Sequence, residues 1–252
     1  HLDLICLMAL NPKLIFFTND WVWKNPIYGY VIRKADYIPV NDGVEAHIDK
    51  IRALVERGYS LVIFPEGTRT VDGSIGRFHK GAFYLAAELG LDITPVFIHG
   101  AYDVLPKTDF MLREGFVHVE VGSRIPCSKD YRMMTKECHR LFVSRYAELR
   151  RELETPEYLS AYVRYKYLYK GADVESRCCK ALARVADVAF LKEAPSGDHF
   201  ELHDCGQGEY ALIFALMHPE IQVDAYDKDE DNVMLASNIS FLPDNLHFHL
   251  EL

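Results

Sequence analysis

Hydrophobic and polar positions alternate along the first 131 residues in the order expected for strands and helices that follow one another. Short apolar runs predict strands, and longer stretches with apolar positions three and four apart predict amphipathic helices that end at glycine. The predicted strands are ADYIPV, SLVIF, DITPVFIHG and GFVHVEVG; the predicted helices are GVEAHIDKIRALVERG and HKGAFYLAAELG. This alternation predicts an α/β fold for residues 1–131.

The pattern becomes wholly helical at residues 132–190. TPEYLSAYVRYKYLYKG predicts a helix with a threonine N-cap and a proline at its first position. Pro, Ser and Gly in EAPSGD predict a loop, after which a strand–helix–strand–helix–strand series starts at His199. We therefore predict an α/β domain, a helical connector at 132–190, and a truncated Rossmann-like α/β module at 191–252.

Composition places the chain among globular proteins, since 49% of its 252 residues are hydrophobic and 26% are charged. The net charge of -9 is unevenly distributed: residues 1–151 carry 20 basic and 18 acidic side chains, whereas residues 152–252 carry 8 and 19. This asymmetry favours two modules. It also argues against general binding of nucleic acid, because an acidic second half repels a phosphate backbone.

The six cysteines form no CxxC pair and lack the spacing of a zinc site, so we expect reduced thiols, a cytoplasmic setting and no bound metal. No apolar run reaches the roughly 18 residues that a membrane span requires. The chain begins at His1 without an initiator methionine or a signal sequence. We therefore expect that something upstream has been removed.

The turn FPEGTR at 64–69 carries the first candidate chemistry. Pro65 lacks the N–H of a continuing strand, so the strand should end there, at the sheet edge where α/β folds bind ligands. Gly67 lets a ligand approach the backbone, and Arg69 can bind a phosphate with two hydrogen bonds. Glu66 can accept hydrogen bonds from a hydroxyl or orient the arginine. The alternative is an ordinary polar turn with a surface ion pair.

FPEGTR resembles the third sequence block of the glycerolphosphate and lysophosphatidic acid acyltransferase family. DGSIGRFHKGA follows as that motif usually continues. ITPVFIHG resembles the fourth block, with Pro95 in the expected place after a strand. The resemblance covers roughly the first 130 residues. It implies an acyltransferase-type α/β domain that moves a fatty acyl group from acyl-CoA or acyl-ACP, the acyl carrier protein, to the free hydroxyl of a lysophosphatidic acid-like acceptor (1-acyl-sn-glycerol-3-phosphate). This is a step of phospholipid biosynthesis, and no cofactor is implied for it.

The first block of that family is a histidine, four residues and an aspartate at the start of a helix. HLDLICLMAL supplies Asp3, but the matching histidine falls three residues before His1. The resemblance implies that Asp3 orients this histidine, the general base, and that Glu66 belongs to the same catalytic site. We expect a chain that begins at His1 to be inactive. The alternatives are a helix N-cap role for Asp3 and a catalytically incomplete lipid-binding module.

The second block departs from the family, because YIPVND offers Val40 where an arginine is usual. Lys80, near the start of a helix, is the better candidate for the missing positive charge, ahead of Arg33 and Lys34; alternatively, it is a solvated surface lysine. The residues that the resemblance assigns to the acceptor are Gly67, Thr68, Arg69, Lys80 and Pro95.

The substrates of such an enzyme imply contact with a membrane surface, as a peripheral protein on its cytoplasmic side. LIFFTNDWVWKNPIYGYVIRK mixes aromatic and basic residues suited to the headgroup layer. A second aromatic stripe, Tyr158, Tyr162, Tyr165 and Tyr169, lies at helical spacing. For this stripe, packing inside the protein is the preferred interpretation.

The segment from Phe200 to Asn238 predicts a nucleotide cofactor site. Gly206 and Gly208 let the backbone approach a ligand, and Asp227 ends the next strand, where an acid can bind ribose hydroxyls. With Asp204, the turn resembles the DxGxG motif of class I S-adenosylmethionine methyltransferases over about residues 170–252. The alternatives are NAD and a turn that binds nothing.

The order of the two modules is similar to that of multidomain bacterial proteins that also carry a membrane transporter upstream. Because the second module resembles a methyltransferase, methyl transfer is the alternative to acyl transfer.

Overall fold

The computed structural model describes residues 2–18, 37–39, 47–70, 73–106, 112–193 and 197–251. The chain divides into two compact units. The first contains residues 1–112 and 116–146, and the second contains residues 113–115 and 147–252. Each unit is described by itself below.

The first unit contains the alternating strands and helices that the hydrophobic pattern predicts. In chain order its elements are α1 (Leu2–Leu10), β1 (Leu14–Thr18), β2 (Ile38–Pro39), α2 (Ile48–Glu56), β3 (Ser60–Val62), α3 (Gly81–Leu89), β4 (Val96–His99), α4 (Ala101–Val104), β5 (His118–Val121) and the first part of α5 (Tyr131–Leu153). The predicted α/β class is confirmed.

A three-stranded parallel sheet lies at the centre of this unit, with β1 between β2 and β3. Ile15 pairs with Leu61, and Phe17 pairs with Ile38. Ile15 and Ile38 are fully buried and belong to one core cluster with apolar residues of α2 and α3. The two helices therefore cover the sheet with the apolar stripes that their sequences predict.

A second apolar cluster joins α3 to α5 and to the segment that precedes α3. Phe78 and Phe83 pack there against Met134 and Cys138 of α5. Next to this cluster, β4 and β5 form an antiparallel pair in which Ile98 lies opposite Val119. The first half of α5 is thus part of the core of the first unit.

The second unit contains the predicted strand–helix–strand–helix–strand series. Its elements are the last part of α5, α6 (Pro156–Tyr167), α7 (Ala172–Leu182), two short 3₁₀ helices (Val185–Asp187 and Ala189–Leu191), β6 (His199–Leu202), α8 (Glu209–Met217), β7 (Gln222–Asp227), α9 (Glu230–Ser237) and β8 (Leu246–Leu250). The sheet is parallel with the order β6–β7–β8.

Helices α6 and α7 belong to the core of the second unit, although the sequence predicted a connector at 132–190. Thr155 caps α6 by accepting a hydrogen bond from the N–H of Tyr158, as predicted. Leu159 and Val163 of α6 and Cys178 of α7 are then buried in one cluster with the residues of α8. The boundary between the units lies at 146–147, within α5. The predicted three-part division thus differs from the packing, because these helices bury their apolar faces.

All six cysteines lie in the described part of the chain, and all are free thiols. Burial raises the pKa of Cys178 and that of Cys205 to about 12. Among the described residues, no helix has both the length and the hydropathy that a bilayer span demands.

Candidate functional site

The turn that follows β3 is held by the segment that leads into α3. Gly67 donates its N–H to the carbonyl of Phe64 at 3.1 Å, with a positive φ of 68° that favours glycine. The N–H of His79 donates to the carbonyl of Pro65 at 2.7 Å. Strand β3 ends at Val62, two residues earlier than predicted, and the turn begins at Pro65.

Glu66 is half-buried beneath this turn. Its Oε2 accepts a hydrogen bond from the N–H of Gly76 at 2.7 Å. Burial raises the pKa of Glu66, and the negative charge of Asp3 raises it further, whereas the Gly76 N–H and the charge of His139 lower it. Burial is the largest of these effects, so the carboxyl group holds its proton more tightly than an exposed glutamate.

Asp3 lies in the first turn of α1, as predicted, and is partly buried. Because its charge acts on Glu66, the two carboxyl groups lie within electrostatic range of each other. The structure thus brings together two residues that are more than sixty positions apart in the chain.

The remaining acceptor residues have different surroundings. Thr68, Arg69 and Lys80 are exposed, and Nη1 of Arg69 donates to the carbonyl of Leu105 at 3.4 Å. Lys80 immediately precedes α3, the position the sequence predicted. Pro95 is buried ahead of β4, where its carbonyl accepts a hydrogen bond from the N–H of Gly122 at 2.8 Å. The role of Pro95 toward a substrate stays a prediction.

His139 of α5 also lies at this site, although no signal in the sequence predicts it. Its Nε2 lies 3.2 Å from the carbonyl oxygen of Gly76, and its ring forms an edge-to-face pair with Phe78 at a centroid distance of 5.0 Å. His139 and Gly76 are 63 positions apart. Nothing local to MMTKECHRLF indicates such a contact, because the residues before the histidine show only a helical pattern.

The two glycines of the turn in the second unit differ in the space around their α-carbons. A Cβ added at Gly206 meets no atom within 4 Å, whereas one added at Gly208 lies 2.6 Å from the Phe248 ring. Gly206 therefore leaves room for a ligand at the backbone. Gly208 is required by packing instead of by ligand approach. Asp204 is exposed and has a positive φ of 53°.

Asp227 is buried, and its carboxylate holds the two turns of this module together. It accepts hydrogen bonds from the N–H of Gly206 at 2.7 Å, from the N–H of Asp229 at 2.9 Å and from Nδ2 of Asn232 at 3.2 Å. These bonds keep the pKa of Asp227 below its usual range although burial, the largest single effect, raises it. The predicted bond from Asp227 to ribose thus competes with three bonds inside the protein.

Several predicted positions lie outside the described residues: Trp21 and Trp23 of the first aromatic segment, and Arg33, Lys34 and Val40. In the second stripe, Tyr158 and Tyr162 pack against the core of the second unit, which confirms the packing interpretation for them. Tyr169 differs, since its side chain is 89% exposed.

Comparison with known proteins identifies the relatives of the first part of the chain. The family model described as Acyltransferase matches residues 1–99. A chloroplastic 1-acyl-sn-glycerol-3-phosphate acyltransferase of Brassica napus is 30% identical over 133 residues, 51% of this chain and 39% of that protein. A 1-acyl-sn-glycerol-3-phosphate acyltransferase of Pseudomonas aeruginosa is 35% identical over 68 residues, 27% of this chain and 26% of that protein.

Among solved structures, the 1-acyl-sn-glycerophosphate (LPA) acyltransferase PlsC from Thermotoga maritima is similar with a TM-score of 0.49 and 22% identity. The similarity covers 55% of this chain and 57% of that one. The chain spans 39% of the length of the Brassica napus relative. Residues 1–99 are thus similar to the acyltransferase family.

Proposed function

We propose that the first unit transfers a fatty acyl group from an acyl thioester to the free hydroxyl of a 1-acyl-sn-glycerol-3-phosphate-like acceptor. The observation that carries this proposal is the electrostatic proximity of Asp3 and Glu66, from separate segments, with an exposed arginine on the turn that contains Glu66. The relatives from Brassica napus and Pseudomonas aeruginosa bear the name of this activity.

The proposed reaction needs a base, a phosphate contact and a group that receives the acceptor. In a chain extended to carry a histidine three positions before His1, this imidazole takes the proton of the hydroxyl, whose oxygen attacks the thioester carbonyl, and the thiol takes the proton as it leaves. Asp3 orients this imidazole and stabilises its cation. Arg69 binds the acceptor phosphate, and Glu66 orients its guanidinium.

A pair of short extensions tests this assignment. Three residues are added before His1, with histidine as the first of them in one protein and alanine in the matched control. We expect release of thiol from acyl-CoA, dependent on lysophosphatidic acid, with the histidine extension and about 10²-fold less with the alanine extension. Equal rates with the two extensions contradict the proposal.

Arg69 is tested in the histidine-extended protein. Arg69→Ala should raise the KM for lysophosphatidic acid about tenfold or more, because a charged hydrogen bond to the phosphate contributes roughly 1.5–3 kcal/mol. Arg69→Lys should recover part of the loss, since it keeps the charge without the two-pronged geometry. Arg52→Ala, on the exposed side of α2, is the control. An unchanged KM for Arg69→Ala rejects the phosphate contact.

A nucleotide cofactor in the second unit is a second candidate function, favoured by the open backbone at Gly206 beside the exposed Asp204. S-adenosylmethionine fits the sequence pattern of this turn, with NAD as the alternative. When bound, S-adenosylmethionine supplies a methyl group. Isothermal calorimetry of the whole chain with each cofactor distinguishes them, and no heat from either rejects the cofactor site.

We also propose that the protein works at the cytoplasmic face of a membrane, where its lipid substrates lie. Co-sedimentation with phosphatidic acid vesicles tests this, and a protein that stays in the supernatant contradicts it.

A further inference from the structure

We propose that His139 is a positioning residue of the acyl-transfer site, acting on Glu66 through Gly76. This inference rests on the proposed function of the first unit. It adds the helix α5 to a site whose other residues come from α1 and the turn after β3. His139 also lies beyond residues 1–99, to which the family match is confined.

The first step is the anchoring of α5 against the segment before α3. Phe78 is buried between the two, 6.2 Å from the ring of Phe83 and 5.2 Å from that of Phe142. The rings of His139 and Phe78 are nearly perpendicular, at an angle of 88°, and form an edge-to-face pair. This contact fixes the position of the imidazole beside the loop that contains Gly76.

The second step is the hydrogen bond between His139 and Gly76. A carbonyl oxygen only accepts, so Nε2 of His139 carries the hydrogen in the 3.2 Å contact with the Gly76 carbonyl. The N–H of the same glycine donates to Glu66 Oε2 at 2.7 Å. Gly76 is therefore held on one side by α5 and holds the carboxylate on the other.

The third step is the lack of space around Gly76. A Cβ at this position lies 2.9 Å from Glu66 Oε2 and 3.3 Å from Cγ2 of Thr70. The loop thus sits directly against the carboxylate, and a small displacement of the loop moves its hydrogen-bond donor away from Glu66. A contact that fixes the loop at Gly76 therefore also fixes the carboxylate.

The charges that face Glu66 agree with this arrangement. They come from Asp3 on α1 and from His139 on α5, and the Gly76 N–H adds a dipole. His139 lowers the pKa of Glu66 while Asp3 raises it. The imidazole thus favours the ionised carboxylate, which is the form that attracts the guanidinium of Arg69.

Three variants of the histidine-extended chain test the inference: His139→Ala, His139→Gln and, as the control, Arg140→Ala at the exposed neighbouring position. We expect His139→Ala to raise the KM for lysophosphatidic acid about three- to tenfold, the equivalent of one net hydrogen bond, with the KM for acyl-CoA unchanged. His139→Gln should restore most of the affinity, because its amide donates to the same carbonyl.

The pH profile separates the hydrogen bond from the charge. Without the imidazole, the pKa of Glu66 rises, so the acidic limb of kcat/KM should move to higher pH in both His139→Ala and His139→Gln. Arg140→Ala should keep the wild-type profile. The inference is overturned if His139→Ala keeps both the wild-type KM for lysophosphatidic acid and the wild-type pH profile. It is also overturned if His139→Gln raises this KM as much as His139→Ala does.

Amide hydrogen exchange gives a readout that does not depend on activity. We expect the Gly76 amide to exchange about threefold faster or more in His139→Ala, and at the wild-type rate in His139→Gln and Arg140→Ala. If the unsubstituted extended protein lacks activity, the proposed function fails, and exchange still decides the positioning contact. Unchanged exchange at Gly76 in His139→Ala overturns that contact.

Discussion

Single residues of the turn after β3 have roles that depend on how little space surrounds them. Gly76 lies so close to Glu66 and Thr70 that a larger residue would have to displace the Glu66 carboxylate. Its N–H also lowers the pKa of the carboxyl group that burial raises. One glycine therefore affects both the position of the Glu66 carboxylate and its pKa.

Gly76→Ala should displace the carboxylate from its hydrogen bond and destabilise the first unit by about 1 kcal/mol, the net value of such a bond. It should also raise the pKa of Glu66 further, because the donor that lowers it is lost. Urea unfolding measures the first effect and carbon-detected NMR titration the second. Gly81→Ala, where a Cβ meets nothing within 4 Å in the first turn of α3, is the control and should be neutral or stabilising. Equal stabilities for the two variants contradict the argument.

At the scale of elements, the second unit depends on how closely α8 and β8 approach each other. Gly208 precedes α8 with a φ of 84°, and the ring of Phe248 from β8 occupies the place of its missing side chain. The two glycines of one turn thus have different reasons to be glycine. Gly206 is required by its backbone conformation, and Gly208 by conformation and packing together.

Gly208→Ala should therefore cost about 3 kcal/mol of stability, from overpacking against Phe248 and from a left-handed backbone that disfavours a side chain. Gly206→Ala, with a φ of 58° and open space, should cost only about 1 kcal/mol. Urea unfolding followed by circular dichroism compares them. A larger loss at Gly206 than at Gly208 shows that the packing argument is wrong.

The elements also show which predictions from sequence depend on local signals. The N-cap of α6, the glycine that ends α3 and the strand series after His199 are all confirmed, because each depends on residues next to one another in the chain. The predicted connector at 132–190 differs from the packing in the structure. An amphipathic pattern shows only that a helix buries one face. It does not show which core receives that face.

At the scale of the whole molecule, the two units are stabilised by separate cores. In the second unit, Glu209 at the start of α8 is only 7% exposed, and its Oε2 has no hydrogen-bond partner among the described residues. Its charge acts on Tyr167 of α6 and on Cys178 of α7. Its charge raises the pKa of both groups, and burial raises the pKa of Glu209 itself.

A raised pKa in the folded state means that the folded second unit binds this proton more tightly than the unfolded chain does. The stability that Glu209 contributes is therefore present below its unfolded pKa and is lost as pH rises through the folded value. We expect the second unit to lose stability, relative to Glu209→Gln, as pH rises above 4.5. Urea unfolding across this pH range measures it. Parallel curves for the two proteins contradict the expectation.

The sequence by itself determined the α/β alternation, the turn at FPEGTR and the resemblance that assigns it to acyl transfer. Each of these depends on neighbouring residues, whose periodicity and turn chemistry are local properties of the chain. Only the tertiary structure decided that His139 reaches Gly76, that Asp227 binds its own turns and that α6 and α7 join the second core. These contacts join residues far apart in the chain, and they exist only once burial of apolar surface has brought the helices together.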